Sequence, residues 1–155
     1  MRRMGLATLA IVLGTALAHA ELVAQPGRYD PRIRTVPYSS EQVFEVTGTY
    51  GMVTVILFGN DEEITQVVAG DTVSWQILTS ADRRSLTLKP MEKDAATNMS
   101  VITTKRTYSF ELLVNDSKSQ RNQTYKLRFS YSEDAGMKGM AELWKQAQEA
   151  QKNPN

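Results

Sequence analysis

Three groups of side chains have the right types to do chemistry. Asp61-Glu62-Glu63 and the pair Glu92 and Asp94 are acidic clusters, suited to a cation or to acid–base work shared between carboxyls. Arg83-Arg84 and the stretch 118–121, with Lys118 and Arg121, are basic and suit phosphate; Trp75 suits stacking. Each also has a plainer reading. Each acidic cluster falls within one turn or loop, and nothing sets a second carboxylate opposite it at the defined separation that glycosidic acid–base chemistry requires. They read as solvated loops. The basic groups lack the interleaved aromatics of a single-stranded nucleic acid track and read as loop-tip charges. Trp75 alternates with Val73 and Ile77 and reads as core. Asn98, Asn115 and Asn122 each open an Asn-x-Ser/Thr tripeptide, which chance supplies often.

The residue inventory narrows the chemistry further. There is no Cys, and the only His is His19. Arg2 and Arg3, an apolar run over residues 6–17 and Ala18-His19-Ala20 have the order of a secretory signal peptide, residues 1–20. A membrane anchor would need about 20 apolar residues. Cleavage after Ala20 would remove His19 and leave a mature chain with no imidazole or thiol for a Ser–His or Cys–His nucleophile or an ordinary zinc site. Neither a cofactor nor a catalytic residue is expected. Removing Arg2 and Arg3 from 18 basic residues leaves 16 against 17 acidic ones, a net charge of −1. So weak a field draws in neither nucleic acid nor an anionic membrane, and no direct nucleic acid binding is expected.

The elements that must position these groups are strands. Over residues 97–113, Met99, Val101 and Thr103 alternate with polar neighbours, and so do Tyr108, Phe110 and Leu112. Period-two alternation marks a half-buried strand. The inward phase changes from odd to even, so residues 104–107 must turn, bulge or bend. Residues 21–31 read as an extended leader and 32–38 as a short strand with Pro37 near its end, which suits an edge position. Further strands are expected at 42–47, 52–58, 64–68, 72–78, 85–89 and 124–131, the second of these in the middle of a sheet. Residues 115–122 read as a polar loop. Trp75, Phe110 and Phe129 are expected to be buried together. Short strands punctuated by Gly, Asn, Asp and Pro predict an all-β, antiparallel β-sandwich over residues 32–132. Composition then shifts to helix formers. Over residues 135–152, Met140, Leu143, Trp144 and Ala147 form an apolar stripe with Lys–Glu pairs four residues apart, which predicts a C-terminal amphipathic helix.

The residues around the phase change also carry a resemblance. Thr97-Asn98-Met99, Val101, Thr103-Thr104, Arg106, Tyr108, Phe110 and Leu112 are similar to the TrbG/CagX family of type IV secretion and conjugation subunits. Asp30 to Arg34 with Tyr38, Gly70-Asp71 with Trp75, and Leu88-Lys89-Pro90 fall in the same order. The resemblance spans residues 30–131 and is to the family's N-terminal domain. It implies a non-enzymatic periplasmic subunit of the outer-membrane core complex. The implied partners are copies of itself in a ring, an envelope-spanning scaffold subunit and a small outer-membrane lipoprotein. Most lipoprotein contacts in the family fall to a second β domain, which these 155 residues are not expected to contain. The rival reading is a periplasmic carbohydrate- or peptide-binding module with Trp75 or the tyrosines as its platform.

The tail generates a test. An isolated helix of this length is marginal in water and gains stability by docking its apolar face. Met140, Leu143, Trp144 and Ala147 are the candidate docking residues, against either the chain's own domain or a neighbouring subunit, with Trp144 as anchor because interface energy concentrates on such residues. Trp144→Ala is expected to weaken assembly in sedimentation while leaving thermal unfolding of the sandwich unchanged.

Overall fold

The computed structural model describes residues 24–115, 123–132 and 145. The expected signal peptide, the loop at 116–122 and the residues Met140, Leu143, Trp144 and Ala147 lie outside them. So does the expected helix, Lys145 apart.

Alternation in the sequence becomes a two-faced sheet over most of the strands. Phe44 and Val46, Leu86 and Leu88, Met99 and Val101, and Tyr108, Phe110 and Leu112 are all buried, with polar or exposed neighbours between them. Among the described residues ten strands result: β1 (Gln25–Pro26), β2 (Ile33–Pro37), β3 (Val43–Gly48), β4 (Thr54–Leu57), β5 (Ile64–Ala69), β6 (Trp75–Thr79), β7 (Ser85–Pro90), β8 (Ala96–Thr103), β9 (Thr107–Val114) and β10 (Lys126–Ser130). They form a six-stranded sheet ordered β1-β2-β10-β4-β7-β6 and a four-stranded sheet ordered β3-β9-β8-β5. Aromatic rings meet between the sheets. Phe44 on β3 lies 4.9 Å from Phe129 on β10, and Phe58, just after β4, lies 6.5 Å from Phe110 on β9. β4 sits between β10 and β7, as its continuous apolar run requires. Among the described residues no helix is long and apolar enough to cross a membrane.

The sheets are mixed, which corrects the antiparallel expectation. β10 runs parallel to both β2 and β4, and β3 runs parallel to β9. Alternation reports which face a residue takes. It carries no information on strand direction, which is settled by long connections that return the chain to the same end.

Three local readings are refined by hydrogen bonding. The phase change is a turn: Ile102 pairs with Thr107, and Thr103 N–H donates to the Arg106 carbonyl at 2.9 Å. Thr103 Oγ1 accepts from the Arg106 and Lys105 amides at 2.9 and 3.2 Å, so the turn's donors are satisfied by a side chain. Val73 is 85% exposed, not inward. Asp71 Oδ1 accepts from the amides of Val73 and Ser74, each at 2.9 Å, and this Asx turn delays the strand until Trp75. Gly48 ends β3 where only a glycine fits, since a Cβ there would lie 2.8 Å from the Pro90 ring and 3.1 Å from Trp75. Part of the expected leader is also strand, since β1 pairs with β2 through Gln25–Thr35 and Pro26–Arg34.

Of the three aromatics expected together, Phe110 and Phe129 meet at 6.2 Å, with Phe129 only partly buried. Trp75 is buried to 1% exposure, but against Gly48 and Pro90. Truncating such a side chain leaves a cavity, so Trp75→Ala is expected to cost about 3–5 kcal/mol, measured as a fall in the urea midpoint.

Candidate functional site

The turn between β4 and β5 inserts a carboxylate into the core. Glu62 is 1% exposed and is the one buried carboxylate among the described residues. Its own turn helps to place it: Glu62 N–H donates to the Gly59 carbonyl at 3.2 Å, and Gly59 N–H returns a bond to Oε1 at 2.9 Å. The other donors come from elements far away in sequence. Thr103 at the end of β8 donates its hydroxyl to Oε2 at 2.5 Å. Tyr108 on β9 and Tyr131, just past β10, reach Oε1 with their hydroxyls at 2.6 and 2.9 Å. Arg106, in the β8–β9 turn, places Nη1 3.2 Å from Oε1, with its side chain only 10% exposed. The two tyrosine hydroxyls are themselves 2.8 Å apart.

This is a donor-rich cage around one negative charge. Arg106 also lies over the Tyr131 ring at 4.0 Å and the Tyr38 ring at 5.7 Å, so its charge is held by stacking as well as by Glu62. Burial pushes the Glu62 carboxyl up, but the bonds from Thr103, Tyr108, the Gly59 amide and Tyr131 outweigh it and hold the group below its ordinary value. Burial, joined by the neighbouring carboxylate, drives the Tyr108 hydroxyl well above the usual tyrosine range, and Tyr131 moves the same way. The carboxylate stays ionised and the phenols stay neutral donors. With its oxygens already engaged by five donors, the carboxylate is placed to hold segments together.

The reading of Asp61-Glu62-Glu63 as a solvated loop therefore fails at its middle residue. Asp61 and Glu63 do face solvent, paired with Lys105 and Arg83 respectively. Such exposed pairs contribute little each. Arg83 adopts a left-handed backbone with φ of 56°, and its carbonyl accepts from the Ile64 amide at 2.7 Å. A signal for the buried carboxylate was present in the sequence. Thr103, Tyr108 and Tyr131 carry hydroxyls at inward-phase positions, and inward hydroxyls need a buried acceptor.

The other sequence candidates are dispersed. Arg83, Arg84, Glu92 and Asp94 are exposed loop residues, and Trp75 is core. Asn98 is exposed on β8, while Lys118 and Arg121 lie outside the described residues. Among the described residues no group of three His, Cys, Asp or Glu could hold a metal ion. Near the N-terminal strands, Asp30 accepts from Arg32 Nη2 at 2.7 Å, and these bonds hold its carboxyl down at about 2. Arg32 in turn lies 4.5 Å from the Tyr125 ring, tying the start of β2 to the approach to β10. A cleft of about 200 Å³ opens where β3 faces β2 and β10, with Val36, Phe44 and Leu127 in its lining.

Thr103, Arg106 and Tyr108 thus serve as ligands of one buried carboxylate, and the same three belong to the pattern that suggested a family. A family model described as conjugal transfer protein, CagX, matches residues 31–155. The chain belongs to the CagX family. Relatives of this CagX chain include the type IV secretion system protein virB9 of Bartonella henselae, 37% identical over 147 residues, covering 90% of this chain and 50% of that protein. The virB9 of Bartonella quintana is 36% identical, covering 88% and 48%. The type IV secretion system protein PtlF of Bordetella pertussis is 34% identical over 136 residues, covering 76% and 50%. The CagX chain spans about half the length of these relatives.

Glu62 yields a prediction with a defined sign. Its folded carboxyl lies below the ordinary value of 4.5, so its ionised form stabilises the fold above that value. The contribution is lost as pH falls through the lowered folded value. Breaking one side of a buried ion pair costs roughly 3–5 kcal/mol, and Glu62→Gln is expected to lose about that at pH 7 in urea unfolding. The gap between wild type and Glu62→Gln should close as the pH is taken down through that range.

Proposed function

We propose that this chain is a structural subunit of the core-complex ring of a bacterial type IV secretion or conjugative transfer system, and not an enzyme. The observation that carries the reading is the unbroken family match over residues 31–155, together with relatives named as type IV secretion proteins at 34–37% identity. The chemistry of the described residues agrees with it. The buried carboxylate has its oxygens committed to the fold, and Trp75, the obvious ligand platform of a binding module, is inside the core.

The proposed partners are other copies of the chain, an envelope-spanning scaffold subunit and a small outer-membrane lipoprotein. The proposed location is the periplasm, reached through a signal peptide at residues 1–20. In this role residues 32–132 are the domain that the ring repeats, and the stripe at Met140, Leu143, Trp144 and Ala147 is the proposed docking element.

A tagged copy expressed in a host carrying the cognate secretion genes provides the test. Detergent-extracted envelopes are expected to hold the chain in a species far larger than a monomer, together with the other core subunits. Recovery only as a free monomer, while those subunits assemble without it, would remove the ring assignment.

A further inference from the structure

We infer that the Glu62 cage is a latch on the residue that follows β10, coupling Tyr131 to the two turns at that end of the domain. Tyr131 follows β10 directly and is 8% exposed. Its hydroxyl reaches both Glu62 and Tyr108, and its ring lies beneath the Arg106 guanidinium. The backbone just before it is fixed as well, since the Ser130 carbonyl accepts from the Tyr38 amide at 2.9 Å.

From Glu62 the connections run outward to both turns. The Gly59 amide ties the carboxylate to the β4–β5 turn, and the Thr103 hydroxyl ties it to the β8–β9 turn. Thr103 in turn accepts from the Arg106 amide. The Asp61–Lys105 pair joins the same two turns across the surface, and Glu63–Arg83 extends the linkage to the turn between β6 and β7. Two turns distant in sequence therefore share one carboxylate with Tyr131.

The latch is cooperative because a buried charge is costly to leave partly satisfied. If Tyr131 withdraws, Glu62 loses a hydroxyl donor and Arg106 loses the ring beneath it. The turns held by Glu62 must then loosen too. A displacement of Tyr131 is felt at Gly59 and Arg106, which belong to turns far from it in sequence. Such coupling is demonstrated by a shared two-state element and not by proximity, so it calls for a cycle of variants.

The experiment is amide hydrogen exchange on the full-length mature chain, comparing Tyr131→Phe, Glu62→Gln and the double variant. Tyr131→Phe keeps the ring and removes one hydroxyl. It is expected to speed exchange at the Gly59 and Arg106 amides by about tenfold, in the range of local openings, while β7 amides stay protected. In the double variant the two effects should fall short of their sum, because both act through one cage. Faster exchange confined to Tyr38 and its neighbours, with Gly59 and Arg106 unchanged, would overturn the coupling, and so would additive effects. If Glu62→Gln does not fold, the Tyr131→Phe comparison at Gly59 and Arg106 decides the matter alone.

Discussion

A buried carboxylate must find donors or it destabilises everything around it, and in this domain that constraint falls on Glu62. Five donors answer it, from the β4–β5 turn, the end of β8, the β8–β9 turn, β9 and the residue after β10. Apolar packing alone is tolerant of shape and exchanges partners at modest cost. A charge that requires Thr103, Arg106, Tyr108 and Tyr131 at hydrogen-bonding distance is far less tolerant. It fixes the register of the β8–β9 hairpin against the other sheet. The rings of Tyr38, Phe44, Phe58, Phe110 and Phe129 pack around Tyr108 and one another, several lying 4.8–6.5 Å apart.

The two ends of the sandwich differ in character as a result. At the Glu62 end, charges are paired: Asp61 with Lys105, Glu63 with Arg83, Glu62 with Arg106. At the other end the loops expose Tyr50, Met52, Val53, Val73 and Met91. Membership of the CagX family gives a reason to read this domain as a part that fits among others. The pairing at one end shows which of its charges are already spoken for.

Period-two patterning made much of the fold legible. Phe44, Leu86, Leu88, Val101 and Phe110 announced their faces because burial on one side of a strand leaves a direct trace in the order of residue types. Three things left weaker traces or none. The parallel pairing of β10 depends on where a chain returns after long connections, which no local pattern encodes. The position of Val73 was decided by the Asp71 carboxylate, which accepts from the Val73 and Ser74 amides, a competition that periodicity does not see. Glu62 looked like its neighbours because a tripeptide of acids is ordinary in a loop, and only the convergence of distant hydroxyls sets it apart. The family resemblance pointed to Thr103, Arg106 and Tyr108 without giving their common purpose.

The place of β10 has a consequence for how the domain comes into being. Lys126–Ser130 fills the gap between β2 and β4, pairing with residues 33–37 on one side and 55–57 on the other. The six-stranded sheet therefore cannot zip up in the order in which the chain is made. Strands β6 and β7 can form a hairpin early, from neighbours close in sequence, and β4 can join β7 as soon as that hairpin exists. β2 must wait, with an unfilled slot beside it, until almost all of the domain has been synthesised. Contacts of such long range are slow to form, and an open strand edge is a template for any passing strand. A chain cut short before residue 126 would be left displaying two such edges. The last strand is thus the keystone, and it arrives immediately ahead of the residue that Glu62 locks in place.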